Sequence, residues 1–274
     1  MKKNINNVLI VGATSDMAQD LLVKLLDDDV CVYAASRSDL NINAPNLKKI
    51  HVDASLKSSI ENLFNEIQNV EFDAVICFQG VAIVSPVEFL SSDELQKQFD
   101  ISVYSLLEIL KGIKGKIKKD GVVINLSSMS SFGIYPFLAP YSMAKAASDI
   151  LLNCYEMETG IKTVSIKPGV VSTKFWKYCI NENKSNFTAF RDEYKIIGEF
   201  LKSNALKNAN KGIKPEKVSK LIYKILHQKN PKSSYTIGKD SKLASFVSFF
   251  KGRKLFGIIR KVLFLRVKEY LNGR

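Results

Sequence analysis

Tyr141 and Lys145 stand four residues apart in Y-S-M-A-K, and Ser128 lies thirteen residues upstream of the tyrosine. In a helix that spacing puts the phenol and the ammonium on one face, about one turn apart. A nearby cation favours the ionised phenol and draws its pKa down from about 10 toward neutral pH. A tyrosine so placed serves as a general acid or base. Ser128 ends the apolar run V-V-I-N-L-S-S, where its hydroxyl can reach the oxygen that gains or loses the proton. Taken alone the pattern has a second reading, a surface tyrosine beside a solvated lysine.

The elements that must position these residues alternate along the chain. Val8–Val11, Val30–Ala35, Ile50–Val52, Ala74–Phe78, Val122–Leu126, Thr163–Ile166 and Tyr235–Ile237 read as strands. Helical stripes lie between them, at Met17, Leu21, Leu22, Leu25 and Leu26 and again at Ile60, Leu63, Phe64 and Ile67. Ser91 with Glu94 predicts a capping box, and Tyr141–Glu158 a long helix. Continuous apolar strands separated by helices predict an α/β fold, a doubly wound parallel sheet covered on both faces. A length of 274 residues with 46% hydrophobic content supports one such domain over residues 1–240, followed by a distinct tail over 241–274.

Composition excludes several classes. The four cysteines show no CxxC spacing and read as reduced thiols. The two histidines, His51 and His227, are far apart, so no metal is expected. The start runs straight into a strand without a signal-peptide pattern, which predicts a cytoplasmic protein.

The first strand empties into V-G-A-T-S-D-M-A and then a helix. Backbone N–H groups at such a turn suit a pyrophosphate. Only Gly12 remains of a three-glycine fingerprint, with Asp16 and Ala18 in the other two places, so a plain strand–helix turn is equally open. The second strand ends in Ser36-Arg37, where an acid would receive the ribose hydroxyls of NAD. A hydroxyl followed by an arginine is the pairing for a 2′-phosphate, unless Arg37 is an ordinary solvated side chain. Asp53, followed by Ala54, either accepts from an adenine amino group or caps the helix starting near Ser58.

Read together, these pieces resemble the short-chain dehydrogenase/reductase family over residues 6–240. The family's Gly-rich turn corresponds to Gly12–Ala18, through Thr14, Ser15, Asp16 and Met17. Its Ser, Tyr and Lys correspond to Ser128, Tyr141 and Lys145. Its Pro-Gly-x-x-x-Thr segment, which frames the nicotinamide, is intact from Pro168 and Gly169 through Val171 to Thr173. The Asn-Asn-Ala-Gly stretch is Cys77-Phe78-Gln79-Gly80, so only Gly80 survives, and the helix asparagine that often completes the catalytic set is Ser102. The turn is similar to that of divergent members that reduce keto sugars, some of them lipid-linked, in cell-envelope polysaccharide pathways.

The resemblance implies NADPH-dependent reduction of a ketone. Tyr141 gives its proton to the carbonyl oxygen, and Lys145 lowers the tyrosine pKa and bonds the nicotinamide ribose. Ser128 stabilises the oxygen, and Ser102 stands in for the asparagine. A homodimer or homotetramer is expected. A keto sugar or lipid-linked sugar is the first substrate class and a lipophilic ketone or acyl chain the second. A nucleotide-sensing protein without turnover is the rival from another class.

Between Thr173 and Pro215 the chain carries Phe175, Trp176, Tyr178, Phe187, Phe190 and Tyr194, in the place of the family's substrate lid. From Ser241 onward there are nine Lys or Arg against one acid, Glu269, more than half of the net charge of +13. Bulky apolar residues at helical spacing within 242–271 predict either a helix lying in a membrane interface, on the inner face, or an arm packed on the domain or a second subunit. With no recognition motif elsewhere, nucleic acid is not an expected partner.

Overall fold

The computed structural model describes residues 3–183, 192–249 and 253–272. Phe187, Phe190, Phe250 and Lys251 lie outside them. Seven strands, β1 (Asn7–Val11), β2 (Cys31–Ser36), β3 (Leu47–His51), β4 (Phe72–Cys77), β5 (Ile117–Leu126), β6 (Lys162–Pro168) and β7 (Ser234–Ile237), form one parallel sheet in the order β3-β2-β1-β4-β5-β6-β7. The chain winds outward from β1 to β3, returns to the other side of β1, and winds outward again. The doubly wound reading is therefore correct.

Each face of the sheet is sealed by helices, of which α1 and α2 carry the apolar stripes expected from the sequence. On one face α1 (Asp16–Asp27) and α8 (Pro215–Leu226) bury Leu21, Leu22, Val218 and Ile222 against Ile10, Ile76 and Ile124. On the other α2 (Lys57–Glu66), α4 (Ser105–Gly112) and α5 (Ala139–Thr159) set Leu63, Ile109 and Leu152 against Leu9, Val75 and Val123. The alternation of side chains along each strand divides it between the two layers. The predicted capping box closes on α3 (Ser92–Phe99), with Ser91 and Glu94 each bonding the other's backbone N–H. A π-turn over Asp100–Tyr104 joins α3 to α4.

Two strands begin well ahead of the sequence reading, by three residues or more. β3 begins at Leu47 instead of Ile50, because Lys48 and Lys49 on this edge strand face solvent and interrupt the apolar run. β5 begins at Ile117, ahead of the apolar core of the strand, with a register shift opposite Phe72/Ala74.

Beyond the sheet lie α6 (Phe175–Glu182), α7 (Asp192–Lys211), α9 (Lys239–Val247) and α10 (Arg253–Asn272). The expected boundary at residue 240 falls inside α9. Ser241 there is fully buried, and its hydroxyl donates to the Lys167 carbonyl at 2.6 Å. Helix α10 lays Leu263, Val267 and Tyr270 on Ile197, Phe200 and Leu201 of α7, so the tail's inner face packs on the domain. Among the described residues no helix is long and apolar enough to cross a membrane.

Candidate active site

The reversal of strand order at β1 and β4 leaves a crevice beyond their C-terminal ends, where ligands bind in open α/β sheets. Register sets Val11 level with Ala35 and with Cys77, so the turns after β1, β2 and β4 leave the sheet side by side. They open on a cleft of about 550 Å³. Gly12, Thr14, Ser15, Asp16, Met17, Ser36, Arg37, Asp53, Ala54, Gly80, Ser128, Tyr141, Lys145, Pro168, Gly169, Val171 and Thr173 all line it. Every predicted site residue except Ser102 is therefore gathered in one place.

Gly12 has φ +80°, and a Cβ there would sit 2.7 Å from the backbone nitrogen of Gln79, so no side chain fits. Ser15 caps α1 by accepting from the Ala18 N–H at 3.2 Å. Asp16 reaches across the cleft and accepts from the backbone N–H of Lys174 at 2.7 Å. This turn therefore combines helix N–H groups with one carboxylate.

On the second strand the Ser36 hydroxyl donates to the Ser38 carbonyl at 2.8 Å. Arg37 is exposed and donates to the Tyr178 hydroxyl at 3.5 Å, a bond that raises its pKa further. Burial pushes the Asp53 carboxyl up, but the Ser55 hydroxyl and N–H, with Arg37 and His51, more than reverse this and leave it below its ordinary value. The helix-cap reading of Asp53 is not realised, because Leu56 occupies the N-cap of α2 and Asp53 is bonded to Ser55.

Ser128 follows β5 and Tyr141 opens α5, whose first turn carries Pro140. Burial pushes the Tyr141 phenol up to about 12, with a hydrogen bond from Ser128 acting the other way. Burial also brings the Lys145 ammonium down to about 8, against the pull of Asp149 and Cys77. The expected lowering of the tyrosine by the lysine is not found. Lys145 Nζ donates to the Leu126 carbonyl at 2.7 Å and lies 5.8 Å from the centroid of the Tyr141 ring, so desolvation of the phenol dominates.

Ser102 corrects another expectation. It is buried in the π-turn, does not line the cleft, and its hydroxyl accepts from Gln98 at 3.1 Å. Its carbonyl receives the Ser148 hydroxyl at 2.9 Å. The interior of the α3–α4 junction claims it.

Several residues that matter here gave no usable sequence signal. Asp240 accepts from the Val170 N–H at 2.7 Å, and its carboxylate occupies the space a side chain at Gly169 would need. Asn183 bonds the Ala82 carbonyl at 2.7 Å and the Val84 N–H at 2.6 Å, tying the end of α6 to the loop after β4. Only a pairing across the fold makes either intelligible. Among the described residues no group of three or more His, Cys, Asp or Glu could hold a metal ion.

A doubly wound sheet with a crevice at its switch point and Ser128, Tyr141 and Lys145 at one end defines a dinucleotide-dependent class of enzyme. The family model of the short chain dehydrogenases matches residues 6–184, and the chain belongs to that family. Membership makes it an oxidoreductase using a nicotinamide cofactor. Ser36 and Arg37 at the end of β2 fit the phosphate-bearing form, NADP(H). The chain is 26% identical over 251 residues to a 3-amino-tetrahydro-pyrrolizinone reductase of Xenorhabdus hominickii, covering 86% of this chain and 88% of that one. It is 23% identical over 193 residues to an NADPH-dependent 3-dehydrocapnine reductase of Ornithobacterium rhinotracheale, covering 67% of each. A short chain dehydrogenase of Burkholderia cenocepacia, solved with NADP, shares the fold with a TM-score of 0.73 at 15% identity, over 94% of this chain and 99% of that one.

Proposed function

We propose that the protein uses NADPH to reduce a ketone to a secondary alcohol, and that the ketone is lipophilic. The observation that carries the reaction is the convergence of Ser128, Tyr141 and Lys145 on one cleft beside the Gly12 turn. The bound nicotinamide supplies the hydride. Thr14, Ser15 and Met17 hold the pyrophosphate, Ser36 and Arg37 the 2′-phosphate, and Asp53 and Ala54 the adenine end. Gly80 and the segment from Pro168 and Gly169 through Val171 to Thr173 frame the nicotinamide.

A phenol held near 12 keeps its proton at neutral pH, which suits Tyr141 as the acid of a reduction. It protonates the oxygen as charge develops there, and the Ser128 hydroxyl steadies that oxygen. Lys145 orients the ribose and supports the tyrosine. Ser102 acts only through packing. One relative's name states NADPH dependence, in agreement with the Arg37 reading.

Beyond Tyr141 the cleft is lined by Met129, Leu138, Phe175, Trp176 and Tyr178. The polar ends of the last two are engaged, the indole N–H with the Val171 carbonyl at 2.7 Å and the phenol with Arg37. The Ser130 and Tyr135 hydroxyls also line the cleft, but apolar and aromatic surface predominates there, so we favour the lipophilic ketone over the keto sugar. Helix α10 supports that choice. Its outer face exposes Ile258, Val262 and Leu265 beside Lys261 and Lys268, a match for an anionic lipid surface. We place the protein at the inner face of the membrane, attached peripherally and assembled as a homodimer or homotetramer.

The test is NADPH consumption with a panel of long-chain ketones and keto sugars. Turnover of the former, lowered about 10²-fold or more by Tyr141→Phe while NADPH still binds, supports the reading. Turnover of keto sugars alone overturns the substrate class. No consumption with any ketone leaves the nucleotide-sensing alternative in its place.

A further inference from the structure

Behind Ser128, Tyr141 and Lys145, a buried ion pair joins the segments that carry them. Asp149 stands one turn beyond Lys145 on α5, and both are buried. A spacing of four residues brings two side chains of a helix together on one face. Lys167, near the end of β6 and just before Pro168 and Gly169, lays its Nζ 2.8 Å from Asp149 Oδ2. The two side chains are only 13% and 10% exposed. The same Nζ lies 4.4 Å from the centroid of the Phe132 ring. Phe132 closes the short helical turn Met129–Phe132, which Ser128 caps. One pair therefore touches α5, β6 and the turn after β5.

The reaction as described makes no use of this pair, and burying it is costly. Two charges withdrawn from water lose hydration that their attraction repays only with good geometry. The geometry here falls short, because neither oxygen of Asp149 has a hydrogen-bond partner among the described residues, close as Oδ2 is to Nζ. Apolar side chains of similar volume commonly replace such a pair without loss of stability, so packing alone does not account for it. Lys145 does. Burial draws its pKa down to about 8, and Asp149 is the largest influence acting the other way. The titratable groups facing Lys145 are Tyr141 and Asp149 on its own helix and Cys77 on β4, with Lys167 on β6 beyond Asp149. Burial pushes the Cys77 thiol and the Tyr141 phenol up to about 12, so Asp149 is the anion of this group at neutral pH.

We propose that Asp149, anchored by Lys167, is a positioning residue whose carboxylate keeps the Lys145 ammonium charged where it bonds the Leu126 carbonyl beside Tyr141. Lys167 holds that carboxylate in place and links it to the turn bearing Ser128. The inference rests on Lys145 serving the proposed reduction, but the charge of Lys145 can be read without turnover.

The experiment is a pair of pH series on the full chain, one of kcat at saturating NADPH and one of Tm. Asp149→Asn removes the negative charge and leaves Lys167 uncompensated. It should move the alkaline limb of kcat to lower pH by about one unit, with NADPH affinity from Trp176 fluorescence unchanged. The Tm series compares each protein with its own Lys145→Met counterpart. A lysine whose folded pKa lies below its unfolded one destabilises at low pH and is relieved as pH rises past the folded value. The pH at which relief begins should fall with the limb in Asp149→Asn. Asp149→Glu keeps the charge and should stay near the parent, and a shift equal to that of Asp149→Asn would overturn the proposal. Should Asp149→Asn not fold, Asp149→Leu with Lys167→Met makes the pair apolar and should move both readings the same way by less. Readings that coincide with the parent's also overturn it and leave the pair a packing element. If no ketone were turned over, the functional reading would fail, while the Tm series would still decide the role of Asp149.

Discussion

The carboxylate of Asp16, in the first turn of α1, accepts a hydrogen bond of 2.7 Å from the backbone N–H of Lys174, at the foot of α6. A residue that stands in the place of a glycine of the Gly-rich turn thereby fastens the turn to α6, whose Phe175, Trp176 and Tyr178 line the cleft. Phe175 and Trp176 follow directly, with the Phe175 ring 6.5 Å from that of Tyr141. The two ends of the cleft are mechanically joined through one side chain.

Asp16→Ala should cut this fastening and destabilise the fold by about 1–2 kcal/mol, the loss expected for a hydrogen bond to a charged acceptor. Asp16→Asn keeps an acceptor and should lose less. Chemical denaturation, followed by Trp176 fluorescence as a local reporter on α6, separates the two. Equal stability in all three proteins would mean the bond contributes nothing.

Lys145 makes stability and activity respond to pH in opposite ways. Burial lowers its pKa from 10.5 to about 8, so between those values the folded protein binds fewer protons than the unfolded chain. Its contribution to stability is therefore unfavourable below about pH 8 and is relieved as pH rises toward 10.5. Relative to Lys145→Met, the parent should gain thermal stability over that interval. Turnover should decline over the same interval as the ammonium loses its proton. A pH-independent difference in Tm between the two proteins would show that the lysine is not desolvated.

Arg37 sits exposed at the end of β2, bonded to the Tyr178 phenol with Asp53 and Glu182 nearby, where we propose that the 2′-phosphate is received. Arg37→Ala should weaken NADPH binding by about 10-fold or more and leave NADH binding nearly unchanged, since charge-assisted contacts to phosphate are strong. Titration of both nucleotides against Trp176 fluorescence gives the comparison. Parallel losses for the two would remove Arg37 from phosphate recognition.

Membrane attachment is best tested by point changes. Removing the tail would strip Val267 from Phe200 and Ile197 and expose the apolar patch on α7. Val262→Glu with Leu265→Glu alters only the outer face of α10, where both residues are exposed. The double variant should fold normally and lose co-sedimentation with anionic vesicles, and parent binding should weaken with salt. If the parent fails to bind anionic vesicles at low salt, the membrane reading is wrong and that face awaits another copy of the chain.

The sequence by itself determined the succession of elements, the parallel sheet, the Gly12 turn, and the placement of Ser128, Tyr141 and Lys145. These follow from local periodicity and from spacings of a few residues, which the backbone converts directly into shared faces. It also marked the tail as a basic stretch with bulky apolar residues at helical spacing. What each polar side chain does was decided by the tertiary structure. Ser102 turned toward Gln98, Asp240 came to lie over Gly169, and Gln79, just after β4, met Ser105 at the start of α4. The hydrogen bonds and desolvation that set their states arise between residues tens to hundreds of positions apart, where no pattern in the chain records which partner will be met.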